Sequence, residues 1–185
     1  MKIPIVKLAS LLVLLILSAC ISEPKVLPAL AYEGNEPKVQ VPLSPEESQQ
    51  HIQLPEGFRA ELFAAEPDII NPIAFTWDER GRLWVVQSQD YPHELENDVG
   101  GDRITICEDT DGDGKADKFI DFATKQSLTT GIVKIKGGII VPQAPEMVFL
   151  QDTDGDDKMD KRTVLFDGFG IWDTHAGPAN LKYGI

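Results

Sequence analysis

An all-β fold built from repeated four-stranded antiparallel units is predicted by three features of the sequence. After Gly57 the chain is written as short runs of alternating apolar and polar residues separated by turn residues, the pattern of half-buried strands. An acidic phrase, "EDTDGDGKAD" from Glu108 to Asp117, returns as "QDTDGDDKMD" from Gln151 to Asp160. The flanking strand patterns return with it, so that Ile106 falls on Phe149, Asp109 on Asp152 and Phe122 on Leu165, each 43 positions on. A four-stranded unit recurring about every 40–50 residues marks a β-propeller blade. The acidic phrase is then the turn between the third and fourth strands of each blade. A generic antiparallel meander is the plainer alternative.

The elements follow in chain order. Residues 1–19 read as a signal peptide: Lys2 and Lys7 precede "ASLLVLLILSA", an apolar run too short to span a bilayer comfortably. It ends in "LSAC", which resembles the lipobox of bacterial lipoproteins. That resemblance implies cleavage before Cys20 and lipid on the Cys20 thiol and new amino terminus. The partner is a lipid membrane, held by ~0.8 kcal/mol for each buried CH₂. By resemblance to enterobacterial lipoproteins, Ile21, where an inner-membrane retention signal would carry aspartate, implies a cell-envelope location at the outer membrane. An ordinary signal peptide ending near a cysteine is the alternative.

Residues 20–43 show no periodicity and carry Pro24, Pro28, Pro37 and Pro42, so they read as a flexible tether. "SPEE" at Ser44 is a capping box with proline at the first helical position, predicting one or two turns of helix that stop by Pro55 and Gly57. "FRAELFA" alternates as a strand. "PIAFTWDERGRLWVVQSQ" gives two strands joined at Asp78 to Gly81, "RITICED" a third and "KFIDFA" a fourth. The count then restarts with "GIVKIKGGIIVPQ", "EMVFLQD" and "RTVLFDG", and "THAGPANLKYGI" opens a third unit. Propellers close with roughly four to eight blades. Residues 44–185 are therefore expected to be the amino-terminal part of a propeller domain, a fragment with about two blades and the start of a third.

Charge narrows the function. The 185 residues carry a net charge of −13, and no basic stripe suits phosphate, which argues against nucleic acid. With Cys20 lipidated, Cys107 has no disulfide partner and reads as a small buried hydrophobe.

The acidic phrases fit a hard cation. Asp109, Asp111 and Asp113 stand at positions 1, 3 and 5, Lys115 at 7 offers a carbonyl, and Asp117 stands at 9. This follows the opening of an EF-hand calcium loop, with Gly114 at 6 permitting the sharp turn. The bidentate glutamate at 12 is missing, since Ile120 stands there. The second copy offers Asp152, Asp154, Asp156, Lys158 and Asp160, with Asp157 in place of the glycine. Calcium is expected over magnesium, because many carboxylates suit a larger, flexible coordination sphere. Both sites are expected to be structural staples, with an unmetallated polar turn as the alternative.

"SPEESQQHIQLPEGFRAELFAAEPDIINPIAFTWDERGRLWVVQSQDYP", the twin acidic phrases and "FGIWDTHAGPANLKYGI" together resemble the amino-terminal propeller of a membrane-bound dehydrogenase family abundant in planctomycetes and verrucomicrobia. The resemblance spans Ser44 to Ile185. Relatives of that family are six-bladed glucose and sorbosone quinoprotein dehydrogenases. The resemblance implies a sugar or polyol substrate, pyrroloquinoline quinone as cofactor, and His175 in "DTHAGPANLKYG" as the catalytic group that takes a proton. The spacing from His175 to Gly184 is one residue longer than in the relatives, and their glycine-glutamine segment is missing. Haem c would require a carboxy-terminal domain, since no Cys-x-x-Cys-His occurs here. The fragment alone is expected to be inactive. The competing function is a non-enzymatic, calcium-stabilised envelope propeller that binds glycans or proteins. Trp77 and Trp84 are expected in the core, His51 and His93 at the surface, and Trp172 is left open.

Overall fold

β-branched and aromatic residues at alternate positions give eight strands, arranged as two meanders. In the computed structural model, residues 41–91, 100–171, 175 and 177–184 are described. The first sheet takes β1 (Pro72–Trp77), β2 (Leu83–Gln87), β3 (Asp102–Glu108) and β4 (Lys118–Gln126) in sequence order. The second takes β5 (Val133–Ile135), β6 (Gly138–Gln143), β7 (Glu146–Gln151) and β8 (Lys161–Phe166) in the same order. Every neighbouring pair is antiparallel. The expected all-β class and the four-plus-four strand count hold. The one α-helix among the described residues, α1 (Pro45–Gln50), has both halves of its capping box: Ser44 Oγ accepts from the Glu47 N–H, and Glu47 Oε2 accepts from the Ser44 N–H.

Alternation sorts the side chains of the first sheet onto two faces. Trp84, Val86, Ile104, Ile106 and Phe122 join Ile139, Val141, Val148 and Leu150 of the second sheet, and Ile132 just before it, in one buried cluster. Burying each such side chain stabilises the fold by about 1.5–3 kcal/mol, so this shared core holds the two sheets together. Val85 and Cys107 point the other way and pack with Ile69, Phe63, Ala64 and Phe119. Cys107 is fully buried and without a disulfide, and burial first, then the charge of Asp68, pushes its thiol up to about 11.

Two expectations change. "FRAELFA" forms no paired strand among the described residues; alternation encodes two faces, but pairing needs a neighbour. Trp77 is 51% exposed, with its ring T-shaped against Phe63, because its face of β1 looks away from the second sheet. Trp84 is buried as expected. The signal peptide, Cys20, the tether up to residue 40, His93 and Trp172 lie outside the described residues. No helix among the described residues is long and apolar enough to cross a membrane.

Candidate metal centres

Each acidic phrase is the turn between the third and fourth strands of its sheet, joining β3 to β4 and β7 to β8. The backbone inside it is organised by its own carboxylates. Asp109 accepts the N–H groups of Gly112 at 2.7 Å and Gly114 at 2.9 Å. Asp111 accepts from Asp113, and Asp113 from Lys115. The second loop repeats the set: Asp152 accepts from Gly155 at 2.7 Å and Asp157 at 2.9 Å, Asp154 from Asp156, and Asp156 from Lys158. Coiling the chain around the first aspartate requires left-handed backbone at positions 4 and 6. Glycine fills both in the first loop, with Gly112 at φ +80° and Gly114 at +90°. In the second, Gly155 stands at +87° and Asp157 at +63°, a conformation aspartate tolerates better than most residues.

The coil brings three carboxylates to one point. Ligand oxygens of Asp109, Asp111 and Asp113 all lie within 4.8 Å of one another, and so do those of Asp152, Asp154 and Asp156. A calcium ion with bonds of about 2.3–2.6 Å can be shared by oxygens up to roughly 5 Å apart, so both triads fit it. Their electrostatics point the same way. The charge of Asp156 raises the Asp154 carboxyl above its ordinary value, the signature of like charges crowded without compensation. Backbone N–H groups, that of Gly114 foremost, hold Asp109 below its ordinary value. At Asp152 burial pulls upward, but the N–H groups of Gly155 and Asp157 prevail and lower it.

Asp117 and Asp160 take another place. Asp117 accepts the N–H and hydroxyl of Thr110 at 3.1 and 2.7 Å, and Asp160 accepts the same two groups of Thr153. Their own N–H groups bond to Glu108 and Gln151 across the strand ends. Position 9 thus clamps the neck of each loop, while the triad forms at its tip. Lys115 and Lys158 are fixed through their N–H groups at position 7. The threonine at position 2 and the glycine at position 4 escaped the sequence reading, although both recur unchanged in the two phrases.

Asp157, which departs from the first copy at position 6, has a partner far away in sequence. It accepts from Arg82 Nη1 at 2.8 Å and Arg80 Nη2 at 3.0 Å on the β1–β2 turn. Arg82 is buried and bonds Asp78 as well, and Asp78 also accepts from Trp84 Nε1. Burial would weaken the Arg82 charge, but hydrogen bonds from its guanidinium to Asp157 and Asp78 hold its pKa above the ordinary value.

His175 is exposed in a turn, its ring edge-on to Tyr91 with centroids 5.7 Å apart. Tyr91 in turn borders a cleft of about 290 Å³ with Asn71, Ser88, Leu128 and Thr130. His175 follows β8 and belongs to a different turn from the acidic loops. His51 is exposed at the end of α1.

The chain belongs to the family described as domain of unknown function DUF7133, whose model matches residues 44–185. No curated protein and no solved structure matches it.

Proposed function

We propose that this DUF7133 chain supplies calcium-stapled blades to a six-bladed-type propeller, lipid-anchored through Cys20 in the cell envelope, whose enzyme oxidises a sugar or polyol. The observation that carries the calcium reading is the pair of carboxylate triads, each within 4.8 Å, in the same turn of successive sheets. Support for the propeller comes from the first strands of the repeats. β1 touches β5. Beyond β5, Thr130 Oγ1 donates to the Pro178 carbonyl and the Tyr183 hydroxyl donates to the Lys134 carbonyl, so the opening of the third unit runs beside the second. First strands laid side by side in repeat order are what a ring of blades requires.

The metal would act on the fold. Each loop sits on a third-to-fourth strand turn, and an ion there would hold that turn in its coiled form. A ligand that binds only the folded state adds roughly 2.7 kcal/mol at a hundredfold excess over its Kd. Calcium should therefore raise the melting temperature and chelator should lower it. Asp111→Asn with Asp113→Asn should erase the share of the first loop. Melting indifferent to calcium and chelator alike would return both loops to polar turns.

The chemistry rests on the resemblance and on the place of His175 beside Tyr91. A bound quinone would accept the hydride, and the part left to this chain is to hold a proton. The imidazole of His175 is the kind of group that takes a substrate hydroxyl proton, and losing a positioned base costs typically 10²–10⁴-fold in rate. His175→Ala in the natural protein, assayed with pyrroloquinoline quinone, an artificial electron acceptor and a panel of aldoses and polyols, should lose that much turnover and keep its calcium-dependent melting. Unchanged turnover would remove His175 from the chemistry. A wild type inactive with every substrate would favour a binding propeller.

A further inference from the structure

Residues 62–74 correspond without a gap to residues 121–133, so that Phe63 matches Phe122, Ala64 matches Ala123 and Ile73 matches Ile132. The structure treats the two stretches alike. The Phe63 carbonyl accepts from the Ala116 N–H at 2.8 Å, and the Phe122 carbonyl accepts from the Met159 N–H at 2.7 Å. Ala116 and Met159 are the same position of the two acidic loops. Phe63 and Ala64 pack with Ala116 on one face of the first sheet, just as Phe122 and Ala123 pack with Met159 on the other. At the first loop, residues 60–64 thus stand where β4 stands at the second.

The likeness fails in two respects. β4 is bonded to β3 along one edge, whereas residues 60–64 have no strand partner among the described residues. Ile132 is 6% exposed, buried between the sheets, whereas Ile73 is 46% exposed with Phe75 and Trp77 beside it at 68% and 51%. Phe63 turns its carbonyl to the loop, so alternation turns the backbone groups of Leu62 and Ala64 to the opposite edge. Ala60 shares their parity, and its carbonyl accepts from Gln49 Nε2 of α1 at 2.6 Å. A groove of about 840 Å³ lies there, between residues 60–67 and α1, with Ser48, Ile52 and Leu62 in its walls.

We propose that residues 60–64 are the outer strand of a third sheet, and that the groove receives the neighbouring strand of that sheet. The occupant is a three-stranded antiparallel sheet from a further repeat of the same kind. Its outermost strand pairs with Leu62 and Ala64, and its face covers Ile73, Phe75 and Trp77 with branched apolar side chains, as β2 and β3 cover Ile132. A second copy of the described sheets does not fit, because each already has its own fourth strand. The inference rests on the repeat reading and is independent of metal and of chemistry.

Backbone amide exchange on the natural protein, isolated with whatever chains accompany it, is the test. Residues 60–64 should be protected as strongly as residues 119–123 of β4, and Ile73→Ala should lower the melting temperature as much as Ile132→Ala does. Exchange of residues 60–64 at the rate of unstructured chain, with β4 protected, overturns the proposal. So does an Ile73→Ala variant that melts like the wild type. Protection that appears only as protein concentration rises would assign the groove to a second copy and overturn it as well.

Discussion

The two acidic loops share nearly every internal hydrogen bond and differ in what they hold on to. The first, residues 109–117, leans on the chain before β1 through one backbone bond, Ala116 to Phe63. The second, residues 152–160, makes the equivalent bond from Met159 to Phe122 and adds an ion pair from Asp157 to Arg82 and Arg80 of the first sheet. Two positions separate them, Ala116 against Met159 and, the one that reaches the other sheet, glycine at 114 against aspartate at 157. Where a loop has only to turn, glycine is the better choice because left-handed backbone costs it nothing. Where it must also grip a buried guanidinium, a carboxylate is worth the strain.

Exchanging the two residues should give unequal losses. Asp157→Gly relaxes the backbone but strips the buried Arg82 of one of its two carboxylates, leaving Asp78 as the other. Hydrogen bonds to charged groups are worth about 1.5–3 kcal/mol, so a net loss of roughly 2 kcal/mol is expected. Gly114→Asp places a side chain at φ +90° with only Glu61 nearby, 3.9 Å from where its Cβ would stand. It should cost about 1 kcal/mol as strain, with no gain. Chemical denaturation of both variants in chelator measures the difference. Equal losses would mean that the ion pair adds nothing to sheet packing.

Acid should separate the loops further. The hydrogen bond from Arg82 holds the Asp157 carboxyl below its ordinary value, against burial that would raise it, and the charges of Arg82 and Arg80 add to the lowering. A carboxyl lowered by folding contributes stability above its ordinary value, and that stability is lost as pH falls through the lowered one. Asp154 runs the other way. Raised by the charge of Asp156, it favours the fold below its ordinary value and opposes it as pH rises through the raised one. In chelator, Asp157→Asn should therefore flatten the acid limb of a melting-temperature profile between pH 7 and 3, while Asp154→Asn should raise the neutral end. Profiles that run parallel to the wild type in both variants would show that neither charge is coupled to folding.

What the sequence made legible was local. Period-2 alternation and turn glycines placed all eight strands, and the repeated phrase located both loops on third-to-fourth turns. The reason for Asp157 was hidden, because its partner Arg82 lies 75 residues away and only the packing of two sheets brings them together. The pairing of "FRAELFA" was hidden for a related cause. Its alternation describes a strand with two faces, and nothing local says whether another strand lies beside it. The neck of each loop was obscured for a simpler reason: a calcium-loop template assigns position 9 to the ion and is silent about position 2.

That neck gives the smallest expected effect and the sharpest question about the ion. In both loops the position-2 threonine donates its N–H and its hydroxyl to the position-9 aspartate. Thr110→Val keeps the shape and the N–H but removes the hydroxyl, at a cost of about 0.5–1 kcal/mol for one exposed bond. Thr153→Val should cost the same, since the two necks are alike and neither uses Asp157. The effect on calcium decides what the clamp is for. If it serves to hold the loop in its coiled form, each valine variant should bind calcium a few-fold more weakly by titration, because part of the binding energy goes into ordering the loop. If instead the ion draws Asp117 or Asp160 into its own shell, the hydroxyl competes with the ion, and its removal should tighten binding. Tighter binding in either variant would move position 9 from the neck into the ligand set, and tighter binding in only one would show that the two loops differ at their necks as well as at Asp157.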